Sequence, residues 1–273
     1  MFRASLDPKT RYGDWQYLHA PLMKECGFDF AESPVEWLLI PDEGEEAWKS
    51  QKERIREAQK YMPFRSCNGF LPGRFHLTGP ETTADAALEY AIKVCHRADE
   101  MGIPYLVFGS SDARNIPEGF DHGEGMKQFT EFCARLAERI SDCNVVVLLE
   151  NLQRSEGNVL NHLADSVAVV DAVNSPKLQM MLDVYHACQG GDLAEDVRKA
   201  GKRILHAHVA DPATRNYPGY SDASIHNYIQ ALNDIGFQGG LSMESGWGTD
   251  EAAYPRLFKK AIATVKEWIA ETR

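Results

Sequence analysis

Short apolar runs alternate with longer amphipathic segments along most of the chain. The clearest run, residues 145–150, is apolar until its last residue, as expected of a parallel strand that is covered on both faces. A weaker run at 2–6 is a candidate first strand. The other predicted strands cover residues 28–32, 64–68, 105–109, 178–183, 204–209 and 240–244.

Helical patterns with one polar face lie between these runs. Gly27, Gly102 and Gly236 each follow such a pattern and precede the next strand, which is the usual position of a residue that ends a helix. The predicted helices cover about 15–26, 44–60, 83–101, 124–142, 161–173, 192–201, 222–235 and 251–270. The unit of strand and helix is thus repeated eight times, which predicts an α/β fold of the (β/α)8 TIM-barrel type.

An open, doubly wound sheet is the alternative architecture. It would require a glycine-rich phosphate-binding turn after the first strand, and the sequence has none there. The polar insertions are short and no segment has the composition of a linker. We therefore expect a single barrel domain over residues 1–273.

The net charge of the chain indicates which macromolecular partners are not expected. The chain has 29 Lys and Arg residues against 40 Asp and Glu residues, a net charge of −11, and it contains no basic run. Nucleic acids and anionic membrane surfaces are therefore not expected as partners. No apolar stretch approaches the length of a spanning helix, and residues 1–7 do not resemble a signal peptide. The six cysteines form no C-x-x-C motif, so we expect reduced thiols and a cytoplasmic location.

Four polar residues stand at the ends of consecutive late strands: Glu150, Asp183, His208 and Glu244. In a barrel the carboxyl ends of the strands converge on one mouth, where three carboxylates would repel one another unless a cation joined them. Oxygen ligands with one imidazole suit Mn²⁺ or Mg²⁺, with Co²⁺ as a further candidate, and the absence of thiolates argues against structural zinc. Any one of the four could instead cap a helix or pair with an arginine, but together they predict a metal site.

The sequence around these residues resembles a known superfamily. The stretches 149–152 (LENL), 181–186 (MLDVYH), 206–211 (HAHVAD) and 242–244 (SME) resemble the metal-site strands of xylose-isomerase-like TIM barrels. Within that superfamily the chain is most similar to the sugar phosphate isomerase/epimerase group, which includes D-tagatose 3-epimerase and hydroxypyruvate isomerase. Residues 68–73 (NGFLPG) and 108–114 (FGSSDAR) fit the same group, and the resemblance extends over about residues 27–250.

The resemblance implies roles for individual residues. Glu150, Asp183, His208 and Glu244 match the ligands of a divalent ion, for which Mn²⁺ is expected ahead of Mg²⁺ or Co²⁺. Glu150 and Glu244 also match the acid/base pair on opposite sides of a bound sugar. Glu156 and His186 match positions that hold the carbonyl and its neighbouring hydroxyl, and Arg215 matches an arginine that contacts the substrate or an acid.

Two departures from the group concern the lining of the pocket. The chain reads ENLQ at 150–153 where the group often has Glu-Pro-Leu-Asn, and Gly-Ser-Ser at 109–111 where it has Gly-Ser-Gly. Both leave the identity of the substrate open. Cys67 and Phe108 lie near predicted strand ends and are candidates to line the substrate pocket, although core packing is the commoner fate of an aromatic side chain.

Two further polar residues have open roles. Glu32 is predicted to end a strand, where it could line the mouth, cap a helix or form a salt bridge. His206 is not expected to be a metal ligand. Because it precedes His208 by two residues, it could lie on the same face of the strand, one layer below.

These observations predict a sugar isomerase or epimerase that acts on a ketose or keto-sugar. The reaction removes a proton beside a carbonyl and passes through an enediolate, which a divalent ion stabilises, and two opposed glutamates could take and return the proton. The segment 245–250 contains no Lys or Arg, which favours an unphosphorylated carbohydrate.

The alternatives are a metal-dependent lyase or dehydratase on keto-glycosides or inososes, and a non-catalytic sugar-binding barrel. Cleavage of DNA at abasic sites is disfavoured because the chain is acidic and lacks the several histidines of a multi-zinc site. The resemblance also makes a homo-oligomer a possibility, but no stretch identifies an interface.

Overall fold

Seven parallel strands form the central sheet of the computed structural model, which describes residues 15–272. Their order in the sheet is their order in the chain, so each strand pairs with its sequence neighbour. The strands are β1 (Ala31–Pro34), β2 (Phe64–Asn68), β3 (Tyr105–Phe108), β4 (Val146–Leu149), β5 (Leu178–Asp183), β6 (Ile204–His208) and β7 (Leu241–Ser242). The barrel class is confirmed, and the predicted strand at 2–6 lies outside the described residues.

Helices connect successive strands and cover the outside of the sheet. The longer ones agree with the apolar periodicity to within a few residues, except at 222–235, where the helix begins only at residue 226. They are α1 (Trp15–Cys26), α3 (Glu45–Gln59), α4 (Ala84–Glu100), α6 (His122–Arg139), α7 (Leu163–Val173), α9 (Ala194–Ala200), α10 (His226–Asp234) and α11 (Tyr254–Glu271). None of the helices within residues 15–272 is both long and apolar enough to cross a membrane.

Three short helices, which the periodicity does not predict, follow strand ends at the mouth. They are α2 (Val35–Leu38), α5 (Ser111–Arg114) and α8 (Val184–Gly190). Helices α2 and α5 have four residues each, little more than one turn, and α8 begins directly after the last residue of β5, so none of them shows a separate helical period in the sequence. The predicted helix-ending glycines are confirmed, since Gly27, Gly102 and Gly236 have φ of +98°, +68° and +69°.

The alternation of side chains along each strand decides what faces the barrel interior. Val107, Leu148 and Met181, from β3, β4 and β5, form a small apolar cluster inside the sheet, separate from the main core. The main core lies between the sheet and the helices. Because strand side chains alternate, Glu150 and Asp183, two residues beyond Leu148 and Met181, point to the same inner face at the mouth.

Candidate metal centre and substrate cavity

Glu150, Asp183, His208 and Glu244 converge at the carboxyl ends of β4 to β7. Each offers one ligand atom, and these atoms all lie within 4.8 Å of one another. Nδ1 of His208 is 3.2 Å from Oε1 of Glu150, 3.7 Å from Oδ2 of Asp183 and 3.6 Å from Oε2 of Glu244. The structure thus brings together the four residues that the sequence predicts as metal ligands, and we call them the metal group.

Local hydrogen bonds fix the members of this group. The Asp183 carboxylate begins α8 by accepting a hydrogen bond from the backbone N–H of His186, at 2.8 Å. The Asn151 side chain accepts from the backbone N–H of Asp183 at 3.0 Å and donates to its carbonyl at 3.3 Å. On the other side, the Asn68 amide donates to Oε1 of Glu244 at 3.0 Å.

The metal group is buried and rich in negative charge. Its side chains are between 1% and 9% exposed. Burial raises the pKa of Glu150, and the nearby charge of Glu244 acts in the same direction. Burial would lower the pKa of His208, but the surrounding carboxylates raise it well above its usual value. The same attraction for positive charge explains why a divalent cation fits this set of oxygen and imidazole donors.

A second layer of polar side chains lies directly beneath His208. Oε1 of Glu32 is 2.8 Å from Nε2 of His208, and Oε2 of Glu32 is 3.0 Å from Nε2 of His206. Ser66 Oγ donates a hydrogen bond to the same carboxylate. Of the roles left open for Glu32, the structure thus supports the ion pair, and His206 lies one layer below His208.

Three predicted substrate contacts meet above the metal group. Nη1 of Arg215 is 2.7 Å from Oε1 of Glu156, and Nη2 is 3.0 Å from Oε2 of Glu244 and 3.3 Å from Nε2 of His186. Together with Glu150, these side chains line one cavity of about 320 Å³. Arg215 has φ of +59°, an uncommon conformation for a residue with a side chain.

The loop that carries Arg215 is organised by Asp211, a buried residue. The Asp211 carboxylate accepts hydrogen bonds from the backbone N–H groups of Ala213, Thr214 and Ser221, at 3.1, 3.0 and 2.9 Å. The Asp211 carbonyl accepts from the backbone N–H of Arg215 at 2.9 Å. These bonds offset the strain of the Arg215 backbone and hold its guanidinium over the cavity.

Sequence reasoning missed several residues of the cavity wall. Asn68 was noted within a family-like stretch but given no role, although it is a polar residue at the end of a strand, the signal that identified Glu150. The remaining wall includes acidic and glycine residues from the segments after β1, β2 and β3, which comprise loops and the short helices α2 and α5. They include Glu36, Gly69, Gly73, Gly109 and Asp112.

Cys67 and Phe108 are not in the cavity wall, in contrast to what the sequence suggested. Phe108 is fully buried, with ring centroids 5.2 Å from Phe70 and 5.6 Å from Phe129. Cys67 is also fully buried in the core on the helical side. Both side chains sit on the outward face of their strands, because their neighbours Ser66 and Val107 face the interior. We therefore leave both out of the proposed substrate site.

Arg114, the last residue of the stretch 108–114, is not among the described residues that line the cavity. Its fully buried guanidinium donates from Nη1 to the carbonyl of Phe108 and from Nη2 to the carbonyl of Glu150, both at 2.8 Å. Burial lowers its pKa to about 10, and the nearby Glu150 partly offsets this. Arg114 therefore joins the carboxyl ends of β3 and β4 and does not reach into the cavity.

The sequence is similar to those of known 3-epimerases. The chain is 34% identical over 110 residues to a D-psicose 3-epimerase of Enterocloster bolteae, covering 40% of this chain and 36% of the relative. It is 30% identical over 112 residues to an L-ribulose 3-epimerase of Methylomonas sp., covering 41% and 39%. The alignments thus span less than two fifths of the length of these relatives.

Structural comparison extends the likeness to nearly the whole chain. A crystal structure of D-psicose 3-epimerase in the presence of D-fructose superposes with a TM-score of 0.81 at 20% identity, covering 96% of this chain and 94% of that one. At this identity the superposition supports the fold alone. The profile of the xylose isomerase-like TIM barrel family matches residues 21–268, most of the chain. The chain therefore belongs to the xylose isomerase-like TIM barrel family.

Proposed function

We propose that the protein is a divalent-metal-dependent sugar epimerase or isomerase that acts on an unphosphorylated ketose or keto-sugar. The observation that carries the proposal is the convergence of Glu150, Asp183, His208 and Glu244, whose ligand atoms lie within 4.8 Å of one another. Two of the four, Glu150 and Glu244, also line the cavity. The similarity to 3-epimerases supports the same reaction class. We expect Mn²⁺ ahead of Mg²⁺ or Co²⁺, since three carboxylates and one imidazole suit a hard or borderline ion.

Glu150 and Glu244 can each bind a metal ion through one carboxylate oxygen and transfer a proton through the other. Oε1 of Glu150 faces His208, whereas its Oε2 points toward Gly109 in the cavity wall. Likewise, Oε2 of Glu244 faces His208, whereas its Oε1 accepts from Asn68. In each carboxylate one oxygen is available to a metal ion and the other is directed away from the metal group. We assign these second oxygens to removing a proton beside the carbonyl and returning one from the other side.

The remaining site residues would bind and orient the substrate. A divalent ion held by the metal group supplies Lewis-acid stabilisation for the negative charge that develops on substrate oxygen. We assign Glu156 and His186 to holding the carbonyl and its neighbouring hydroxyl. Arg215, which pairs with Glu156 and Glu244, holds both carboxylates in position and can itself donate to a substrate oxygen.

The charges around the cavity favour a neutral substrate. Glu36, Asp112 and Glu156 line it in addition to two members of the metal group, Glu150 and Glu244. Among the described residues that line the cavity, Arg215 is the one cation, and it is already paired with two carboxylates. A phosphate ester would bring further negative charge into this acidic wall, where the described lining residues offer it no cationic side chain other than the paired Arg215. An unphosphorylated carbohydrate avoids this cost.

Solvent exchange tests the proposal directly. The Mn²⁺-loaded protein is incubated in D₂O with D-fructose, D-allulose, D-tagatose and L-ribulose, and the products are analysed by NMR and mass spectrometry. We expect deuterium at the carbon beside the carbonyl, together with an epimeric or isomeric product. Exchange should disappear with EDTA and in Glu150→Gln and Glu244→Gln variants. No exchange with any ketose or keto-sugar would contradict the proposal, and an elimination product would instead indicate a lyase.

A further inference from the structure

The carboxylate of Glu32 lies between two buried imidazoles, of which only one belongs to the metal group. We propose that Glu32 is a positioning residue that fixes the ring orientation and the protonated nitrogen of His208, so that Nδ1 is the nitrogen presented to a metal ion. This inference rests on the proposed metal site, but it assigns a role to a residue outside the four ligands.

Each of the two carboxylate oxygens of Glu32 faces a different histidine. Oε1 is 2.8 Å from Nε2 of His208, and Oε2 is 3.0 Å from Nε2 of His206. Nε2 of His206 forms a hydrogen bond with Glu32. The contact of Nε2 of His208 is an ion-pair contact without hydrogen-bond alignment, and this buried nitrogen has no hydrogen-bond partner among the described residues. Nδ1 of His208 faces Glu150, Asp183 and Glu244, so it is the nitrogen within reach of an ion held by the metal group. An ion on Nδ1 would leave the ring proton on Nε2, and Oε1 of Glu32 is the carboxylate oxygen close enough to accept from it.

The surroundings hold Glu32 rigidly in this orientation. Its side chain is 7% exposed, and both histidines are at most 1% exposed. Ser66 Oγ is a third donor to the carboxylate and lies 3.3 Å from Nε2 of His206. Nδ1 of His206 is buried and has no hydrogen-bond partner among the residues that the structure describes, which fits a neutral ring with its proton on Nε2. His206 and Ser66 thus hold the Glu32 carboxylate by hydrogen bonds, and this carboxylate in turn contacts the His208 ring.

The chemical effect on metal binding follows from this arrangement. A carboxylate that accepts from the distal nitrogen of a ligand histidine prevents ring rotation and makes the other nitrogen a better donor. Loss of such a partner typically weakens metal affinity by roughly 10–100-fold. Glu32 also comes from β1 while His208 comes from β6, so the contact depends on the closure of the sheet around its interior.

A competing use of the same residues is a second metal ion. The facing atoms of Glu32, His206 and His208 also lie within 4.8 Å of one another. Two ions, one on each nitrogen of His208, would require that ring to lose both protons. A single ion on Nδ1, with the ring proton on Nε2 facing Glu32, avoids this requirement and predicts one ion per chain.

Metal titration of a matched pair of variants tests the inference. Glu32→Gln keeps the shape of the side chain, but its amide cannot accept from both histidines. Asp29→Asn removes the same charge from an exposed residue in the same segment. We expect one Mn²⁺ per chain in the wild type by isothermal titration and electron paramagnetic resonance, a 10–100-fold higher Kd in Glu32→Gln, and a Kd within about twofold of wild type in Asp29→Asn.

The possible outcomes separate the two proposals. Unchanged Mn²⁺ affinity in Glu32→Gln would overturn the role of Glu32 while leaving the metal site intact. Two ions in the wild type and one in Glu32→Gln would also overturn it, in favour of a second ion. A wild type that binds no divalent ion contradicts the proposed function itself.

A spectroscopic measurement on the protein loaded with diamagnetic Mg²⁺ keeps the inference testable if Glu32→Gln folds poorly. In ¹⁵N-histidine-labelled wild type, NMR should show a proton on Nε2 of both His206 and His208. An unprotonated Nε2 on His208 would overturn the inference without any variant.

Discussion

At the scale of single residues, the mouth of the barrel tolerates very little change beside Glu150. A Cβ added to Gly109 would lie 2.1 Å from Oε2 of Glu150, far inside van der Waals contact. The Glu150 carboxylate would have to turn away, since the backbone of β3 and β4 is fixed by hydrogen bonding. Gly109 is therefore required by the space that the carboxylate occupies.

We expect Gly109→Ala to weaken Mn²⁺ binding and to slow the proposed proton exchange by at least about tenfold, equivalent to roughly 1.4 kcal/mol. Gly44→Ala is the matched control, because a Cβ there meets nothing within 4 Å and φ is −74°. The measurements are the Kd for Mn²⁺ and the rate of deuterium incorporation. Wild-type values in Gly109→Ala would show that Glu150 has another position available.

At the scale of secondary-structure elements, short helices at the strand ends position the site. Asp183 ends β5 and begins α8, so one carboxylate serves both the helix and the metal group. In the same way α5 carries Arg114 back onto the carbonyls of Phe108 and Glu150. The two short helices hold the side chains at these strand ends in fixed positions. A change in the stability of either helix should therefore change the geometry of the site.

We expect Arg114→Met to lower the free energy of unfolding by roughly 2–5 kcal/mol, because two buried carbonyls lose a charged donor. Urea denaturation measures this change. Arg135→Met is the control, since its guanidinium is half exposed in an ion pair with Asp85, and such a pair contributes at most about 1 kcal/mol. Equal midpoints for the two variants would contradict the bridging role of Arg114.

At the scale of the whole molecule, the surplus of negative charge is concentrated in part at the metal group. Three of the 40 acidic residues lie there, buried and close together. A cation that binds only the folded chain should therefore stabilise the entire barrel.

Three expectations from the sequence stay predictions. They are a single domain over residues 1–273, a cytoplasmic location and a homo-oligomer.

We expect Mn²⁺ at about 100 times its Kd to add roughly 2.7 kcal/mol of stability and to raise the Tm by roughly 5–10 °C. EDTA should reverse the shift, and Glu244→Gln should show little of it. Differential scanning calorimetry with and without Mn²⁺ provides the measurement. A Tm that does not respond to Mn²⁺, Mg²⁺ or Co²⁺ would argue against a resident divalent ion.

The cysteines give a second prediction for the molecule as a whole. All six are free, and only Cys188 is partly exposed. Burial raises the pKa of the Cys143 thiol to about 11 and raises that of Cys67 and Cys133 as well, so little reactive thiolate is present near neutral pH. We expect iodoacetamide at pH 7.5 to label Cys188 first and all six thiols only after unfolding, as followed by mass spectrometry. Rapid labelling of the buried thiols would indicate that the barrel opens.

The sequence by itself determined the barrel class and the members of the metal group. Apolar periodicity is a local property, so the strands and long helices could be identified from it. Glu150, Asp183 and His208 stood out because each is a polar residue at or directly after the end of an apolar strand, where burial requires a partner. Glu156, His186 and Arg215 came from resemblance and not from periodicity.

The tertiary structure alone decided which way each strand-end side chain points and which distant residues meet. Cys67 and Phe108 failed as pocket residues because a shift of one position along a strand moves a side chain to the other face of the sheet. Glu32 and His206 are 174 residues apart, and their contact arises only because the sheet curves to bring β1 and β6 together around its interior. Local patterns carry no information on that curvature, so the support beneath the metal group could be found only in the folded barrel.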